Sequence, residues 1–225
     1  MNPTRLGSSL RVSLAAAVAS AALVASGTSL AIQDSAGVEA PPSRPIPTGD
    51  AWQLDFKPGP LRVYVDPFSG QAYWYLTYEI ENRTGRERTW APRFELQSDA
   101  GLMQSSGQEV PQIVTQDLQR VLSNPRIATR TGRILDQNQV IGPIVSGPEH
   151  VREGVVIWPI EDPRITQLTI YVAGVTNRRE SMPHPESGEP IVLRQERALR
   201  YLTPGDLAPL QGQPIQATEG TWVLR

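Results

Sequence analysis

Apolar and polar residues alternate along Trp52–Phe56 (WQLDF), Leu61–Val65 (LRVYV) and Tyr73–Asn82 (YWYLTYEIEN), the period of strands with one buried face. Lys57-Pro58-Gly59-Pro60 separates the first two runs and predicts a break there. A further run, Arg86–Gln97 (RERTWAPRFELQ), follows the short loop Arg83-Thr84-Gly85, so the spacing predicts an antiparallel hairpin with glycine at the position that needs positive φ. Parity sets a register: with Leu61, Val63 and Val65 inward, Val63 opposes Trp74 and Arg62 opposes Tyr75. The hairpin register then sets Asn82 against Arg86, Tyr78 against Trp90 and Trp74 against Phe94. Pro92 has no N–H to give a ladder and marks an edge or a bulge.

Pro111–Leu122 (PQIVTQDLQRVL) changes period. Val110, Ile113, Val114, Leu118, Val121 and Leu122 form one helical stripe, Pro111 suits the first turn, and Asn124-Pro125 ends it. This amphipathic helix is expected to cover one open end or face of the β structure. Beyond it, Gly132–Leu135 and Val140–Val145 have weak strand character, while Val151–Ile160, Gln167–Val175, Ile191–Thr203 and Thr221–Arg225 have strong strand character. A turn and a short return strand are expected at Ser98–Gln104, and a polar loop at Asn177–Pro190. The total of roughly seven to nine strands with turn signals between them is the pattern of a sandwich.

The segment YLTYEIENRTGRERTWAPRFELQSDAG, with its strand end, Gly-bearing turn and later Asp-Ala-Gly turn, resembles the strand-turn-strand of immunoglobulin-like domains of secreted bacterial proteins. VSGPEHVREGVVIW is similar to the Pro-Gly-Glu turn before an inner strand of those domains, with Gly147 and Pro148 in reverse order. The resemblance covers about a third of the chain after its leader. It implies a mainly β, immunoglobulin-like antiparallel β-sandwich with one inserted amphipathic helix, and a role in adhesion, assembly or ligand contact.

The first 31 residues read as a signal peptide: Arg5 and Arg11 precede the apolar run Val12–Val24, and small-residue cleavage sites end at Ala25 or Ala31. The run is too short and alanine-rich for a bilayer span, so no stable membrane anchor is expected after cleavage. Residues 32–50, with Pro41, Pro42, Pro45 and Pro47, read as a disordered leader. Residues 51–225 form a single β-sandwich domain. The chain has no cysteine, which excludes a lipid-modified N-terminus and disulfide staples, so burial must hold the domain. These features place it in the periplasm or outside the cell. With Arg5 and Arg11 gone, 23 acidic side chains face 19 basic ones, which argues against a nucleic-acid partner.

Catalytic motifs are missing from the pattern. His150 and His184 are far apart in loops, no calcium-loop spacing occurs, and no G-x-S-x-G is present. No metal and no cofactor is expected. The register instead places Arg62, Tyr75 and Arg93 in a row on the outer face, with Tyr64 and Tyr73 beside them. That set is the candidate binding surface, read either as a stiffening surface ladder or as an aromatic and cationic platform. The expected function is non-enzymatic: a protein-binding or structural component of the bacterial cell envelope. The alternatives are a carbohydrate-binding module on that Tyr/Arg face and a hydrolase with dispersed carboxylates.

Overall fold

The computed structural model describes residues 43–47, 49–124, 129–206 and 208–225. The signal segment and residues 32–42 of the expected leader lie outside the described residues. The chain is mainly β, two packed antiparallel sheets with one α-helix among the described residues. The smaller sheet has the spatial order β2 (Asp55–Val65), β3 (Ala72–Glu81), β9 (Arg152–Pro159) and β7 (Ile134–Leu135), with only β7 running parallel to its neighbour. The larger sheet begins with β6 (Met103–Ser105), β5 (Arg93–Ser98), β10 (Gln167–Ala173) and β12 (Pro190–Leu202). It continues through β11 (Arg179–Pro183) to β1 (Arg44–Pro45), while β13 (Ala217–Leu224) pairs with β12. A separate two-stranded ribbon joins β4 (Arg88–Trp90) to β8 (Gly142–Ile144).

The inward residues of both sheets form one core. Leu61 and Val63 of β2, Trp74, Leu76, Tyr78 and Ile80 of β3, and Val156 and Trp158 of β9 meet Phe94, Leu96, Leu168, Ile170, Val172, Leu199 and Tyr201 from the other sheet. The predicted pairing of the first two strands is observed, with Val63 opposite Trp74 and Arg62 opposite Tyr75. The break between them is not. Asp55–Val65 is one strand with a register shift between Pro58 and Leu61, a bulge that carries the prolines past the ladder. Gly59 is needed there, because a β-carbon would lie 2.9 Å from the Thr77 carbonyl oxygen.

The predicted hairpin between Tyr73–Asn82 and Arg86–Gln97 does not form. The second neighbour of β3 is β9, with Trp74 opposite Trp158 and Tyr78 opposite Gly154. After the Asn82–Arg86 turn the chain forms β4, passes Ala91-Pro92 and enters the other sheet as β5. Pro92 is thus where the chain changes layers. Tyr78, expected opposite Trp90, instead meets Phe94 across the core, with ring centroids 4.9 Å apart. The turn itself is tightly bonded. The buried Asn82 side chain donates to the carbonyls of Arg86 and Ile144, both at 2.7 Å, and accepts from Thr84, and Gly85 takes φ 77°.

The helix α1 spans Gln112–Leu122 and buries Val114, Leu118 and Leu122. It lies on the outer face of the smaller sheet, in a second apolar cluster with Tyr73, Tyr75, Val155, Ile157 and Ile134. Strands β3 and β9 are therefore covered on both sides. Part of the segment expected as a loose leader is also built in: β1 pairs with β11, and Asp50 is 2.7 Å from the Arg88 guanidinium. The expected polar loop 177–190 likewise contributes β11, leaving the turn 184–189 at its tip. No helix among the described residues is long and apolar enough to cross a membrane.

Candidate binding surface

The five residues of the predicted surface fall on two sheets. Arg62, Tyr64, Tyr73 and Tyr75 belong to β2 and β3 of the smaller sheet, whereas Arg93 begins β5 of the larger. Tyr73 and Tyr75 are only 3% and 8% exposed. Tyr64 packs against the same cluster, and Arg62 is half-buried. Burial raises the Tyr75 phenol above the usual tyrosine range, with Arg62 partly opposing it. The exposed tyrosine platform is corrected: the apolar stripe of α1 needs a seat, and these rings provide it.

Beside the C-terminal end of α1, a cleft of about 330 Å³ is lined by residues that include Lys57, Arg62, Glu79 and Glu153. Glu79 and Glu153 are direct cross-strand neighbours, close enough to invite comparison with a hydrolytic carboxylate pair. Glu153 is otherwise engaged. One oxygen accepts the Arg130 N–H at 2.8 Å; the other accepts the Thr131 N–H at 2.6 Å and the Thr131 hydroxyl. This carboxylate anchors the 129–133 segment, each of its oxygens accepting from that segment. Among the described residues, no group of three or more His, Asp or Glu stands together to hold a metal ion.

The outer face of the larger sheet is different in kind. At its centre the buried Glu196 lies 3.1 Å from Arg93 and 3.2 Å from Arg225, and Glu95 lies 3.3 and 3.0 Å from the same two arginines. Arg225 also stacks on the Tyr171 ring, 4.0 Å from its centroid. Arg93 is therefore part of a closed ion network, where it helps offset the cost of burying Glu196.

Next to this network, ladder parity collects more arginines. Arg179 of β11 is directly opposite Arg194 of β12. Arg194 in turn exchanges two backbone hydrogen bonds with Arg225, of 2.6 and 2.9 Å. Arg44 of β1 opposes Ser181, two residues from Arg179 on the same face. Directly opposed residues share a face and have β-carbons about 5 Å apart, so Arg44, Arg179, Arg194 and Arg225 occupy adjoining positions across four strands. Arg225 is neutralised by the glutamates. Arg44, Arg179 and Arg194 are exposed and have no carboxylate partner among the described residues.

Like charges directly opposed across a ladder destabilise it, so this arrangement costs the fold something and gains nothing for the core. Val192 (54% exposed) sits on the same face opposite Ser181. Arg178 adjoins the row and, with Arg179, Arg194 and Trp52, lines a shallow depression of about 170 Å³. Sequence reading missed this cluster because it assigned residues 177–190 to a loop. The signal lay in the spacing of Arg179 and Arg194 about the turn 184–189, which makes them opposed once that stretch is a hairpin.

No known protein family, curated protein or solved structure matches this chain.

Proposed function

We propose that this protein is an exported, non-enzymatic β-sandwich that works by holding a partner protein in the bacterial cell envelope. The carrying observation is the open outer face of β1, β11, β12 and β13. There Arg44, Arg179 and Arg194 stand exposed without a carboxylate partner among the described residues, although acids outnumber bases in the whole chain. Arginine is enriched at protein interfaces because its fork pairs with carboxylates and its stem covers apolar surface. The basic and apolar N-terminal pattern supports export, and the resemblance to immunoglobulin-like secreted domains supports a contact role.

The test is site-specific photocrosslinking in cells, with the reactive group at Val192 and, as a control, at the exposed Ile113 of α1. A discrete adduct from position 192 in the envelope fraction, lacking from position 113, is expected. Equal labelling from both positions, or none from 192, overturns the reading.

A further inference from the structure

We infer that the arginine face receives a carboxylate-rich polypeptide segment, an acidic stretch of a protein partner, rather than a glycan or a lipid surface. This rests on the binding role proposed above and names the chemistry of what is bound.

Three observations select that occupant. The first is charge. Arg179 and Arg194 are directly opposed, and Arg44, opposite Ser181, is the diagonal neighbour of Arg179, so the three arginines stand about 5–8 Å apart at their β-carbons on one face. An extended acidic segment can place carboxylates against successive forks with two parallel N–H···O bonds each. The second is the state of the neighbouring rings. On this face Arg225 already covers Tyr171 at 4.0 Å, while Trp52 and Trp222 pack against the core. The face therefore lacks the open aromatic platform on which a sugar would stack.

The third is the boundary of the patch. Glu186 and Glu189 lie in the turn that joins β11 to β12. They fence the cationic row on one side, and on the other it ends at the charge-balanced network of Glu95, Glu196, Arg93 and Arg225. A broad anionic membrane would meet these acids together with the arginines, whereas a short segment need not. The half-exposed Val192 within the row fits a side chain of a polypeptide.

The experiment measures binding of poly-L-glutamate to the full chain by fluorescence anisotropy, beside heparin and phosphatidylglycerol vesicles. The chain is itself net acidic, so attachment of polyglutamate requires a local cationic site. The expected result is saturable, salt-sensitive binding of polyglutamate. It should weaken about tenfold or more in R179E/R194E and stay unchanged in R120E/R133E, which makes the same change in net charge elsewhere. Circular dichroism of R179E/R194E checks that it folds; if it does not, R179Q/R194Q replaces it under the same criterion.

Binding of heparin alone assigns the face to an acidic glycan, and binding of vesicles alone assigns it to a membrane; each overturns the inference. Binding of polyglutamate that R179E/R194E leaves intact overturns it as well. If none of the three binds while the Val192 crosslink persists, the acidic-segment inference falls and the partner-holding role stands. Loss of that crosslink removes the role itself.

Discussion

Tyr78 on β3 stands directly opposite Gly154 on β9, and its phenol ring and hydroxyl fill the space that a β-carbon at 154 would need. The glycine weakens its own strand slightly, but the ring packs over it and bridges the two strands.

Gly154→Ala is therefore expected to destabilise the protein by about 1–3 kcal/mol through overpacking. Urea unfolding of Gly154→Ala and of the double change Tyr78→Leu/Gly154→Ala checks this. The double variant should cost less than the sum of its parts; strict additivity would contradict the packing relationship.

The helix separates two kinds of apolar residue that its sequence stripe treats alike. Leu118 is 1% exposed against the tyrosines, whereas Ile113 and Val121 are each 52% exposed. Leu118→Ala should cost about 2–5 kcal/mol, and Ile113→Ala or Val121→Ala should stay within about 0.5 kcal/mol. Thermal or chemical unfolding of the three variants decides it. A large loss at Ile113 would mean that this face is covered in the folded protein.

Much of this was readable before any coordinates. The β2–β3 register was legible from parity, because a one-residue slip between two alternating strands turns every apolar residue to the wet face. The helix and its covering role followed from its stripe. The second neighbour of β3 did not follow, since β9 is remote in sequence and pattern alone cannot say which of two adjacent strands stays in the layer. Pro92 was the local clue. The outward phase of β3 carries Tyr73 and Tyr75, and that of β9 carries Val155 and Ile157; these are apolar for a wet surface and match a helix that needs a seat.

Stability should form a plateau between an acid and an alkaline limb. The Ser69 hydroxyl holds the Asp66 carboxyl below its usual range, the Thr166 hydroxyl does the same for Asp99, and the Arg83 guanidinium for Glu81. Their contribution is present above their unfolded values, near about 4, and is lost as pH falls through the lower folded values. Burial pushes the Tyr78 and Tyr201 phenols up. Their contribution is complete below about pH 10 and declines as pH rises beyond it. Urea midpoints measured from acid to alkali should show both limbs; a flat profile at either end removes the corresponding set of groups.

Glu153 is 6% exposed and holds the Arg130 and Thr131 amides. Glu153→Ala should release that segment while the sandwich core stays folded, so trypsin should cut after Arg130 or Arg133 several-fold faster, on the order of a local-opening effect. Mass spectrometry of the first fragments checks the site. Unchanged cleavage would mean that the carboxylate does not anchor the segment.

Residues 211–225 serve both layers. Leu61 and Ile215 exchange backbone hydrogen bonds of 2.9 and 2.8 Å along the free edge of β2, and β13 then lies beside β12 in the opposite sheet. Neither layer can be completed until this stretch docks. Each sheet thus keeps an unfinished edge until then, and the two layers close together rather than one after the other.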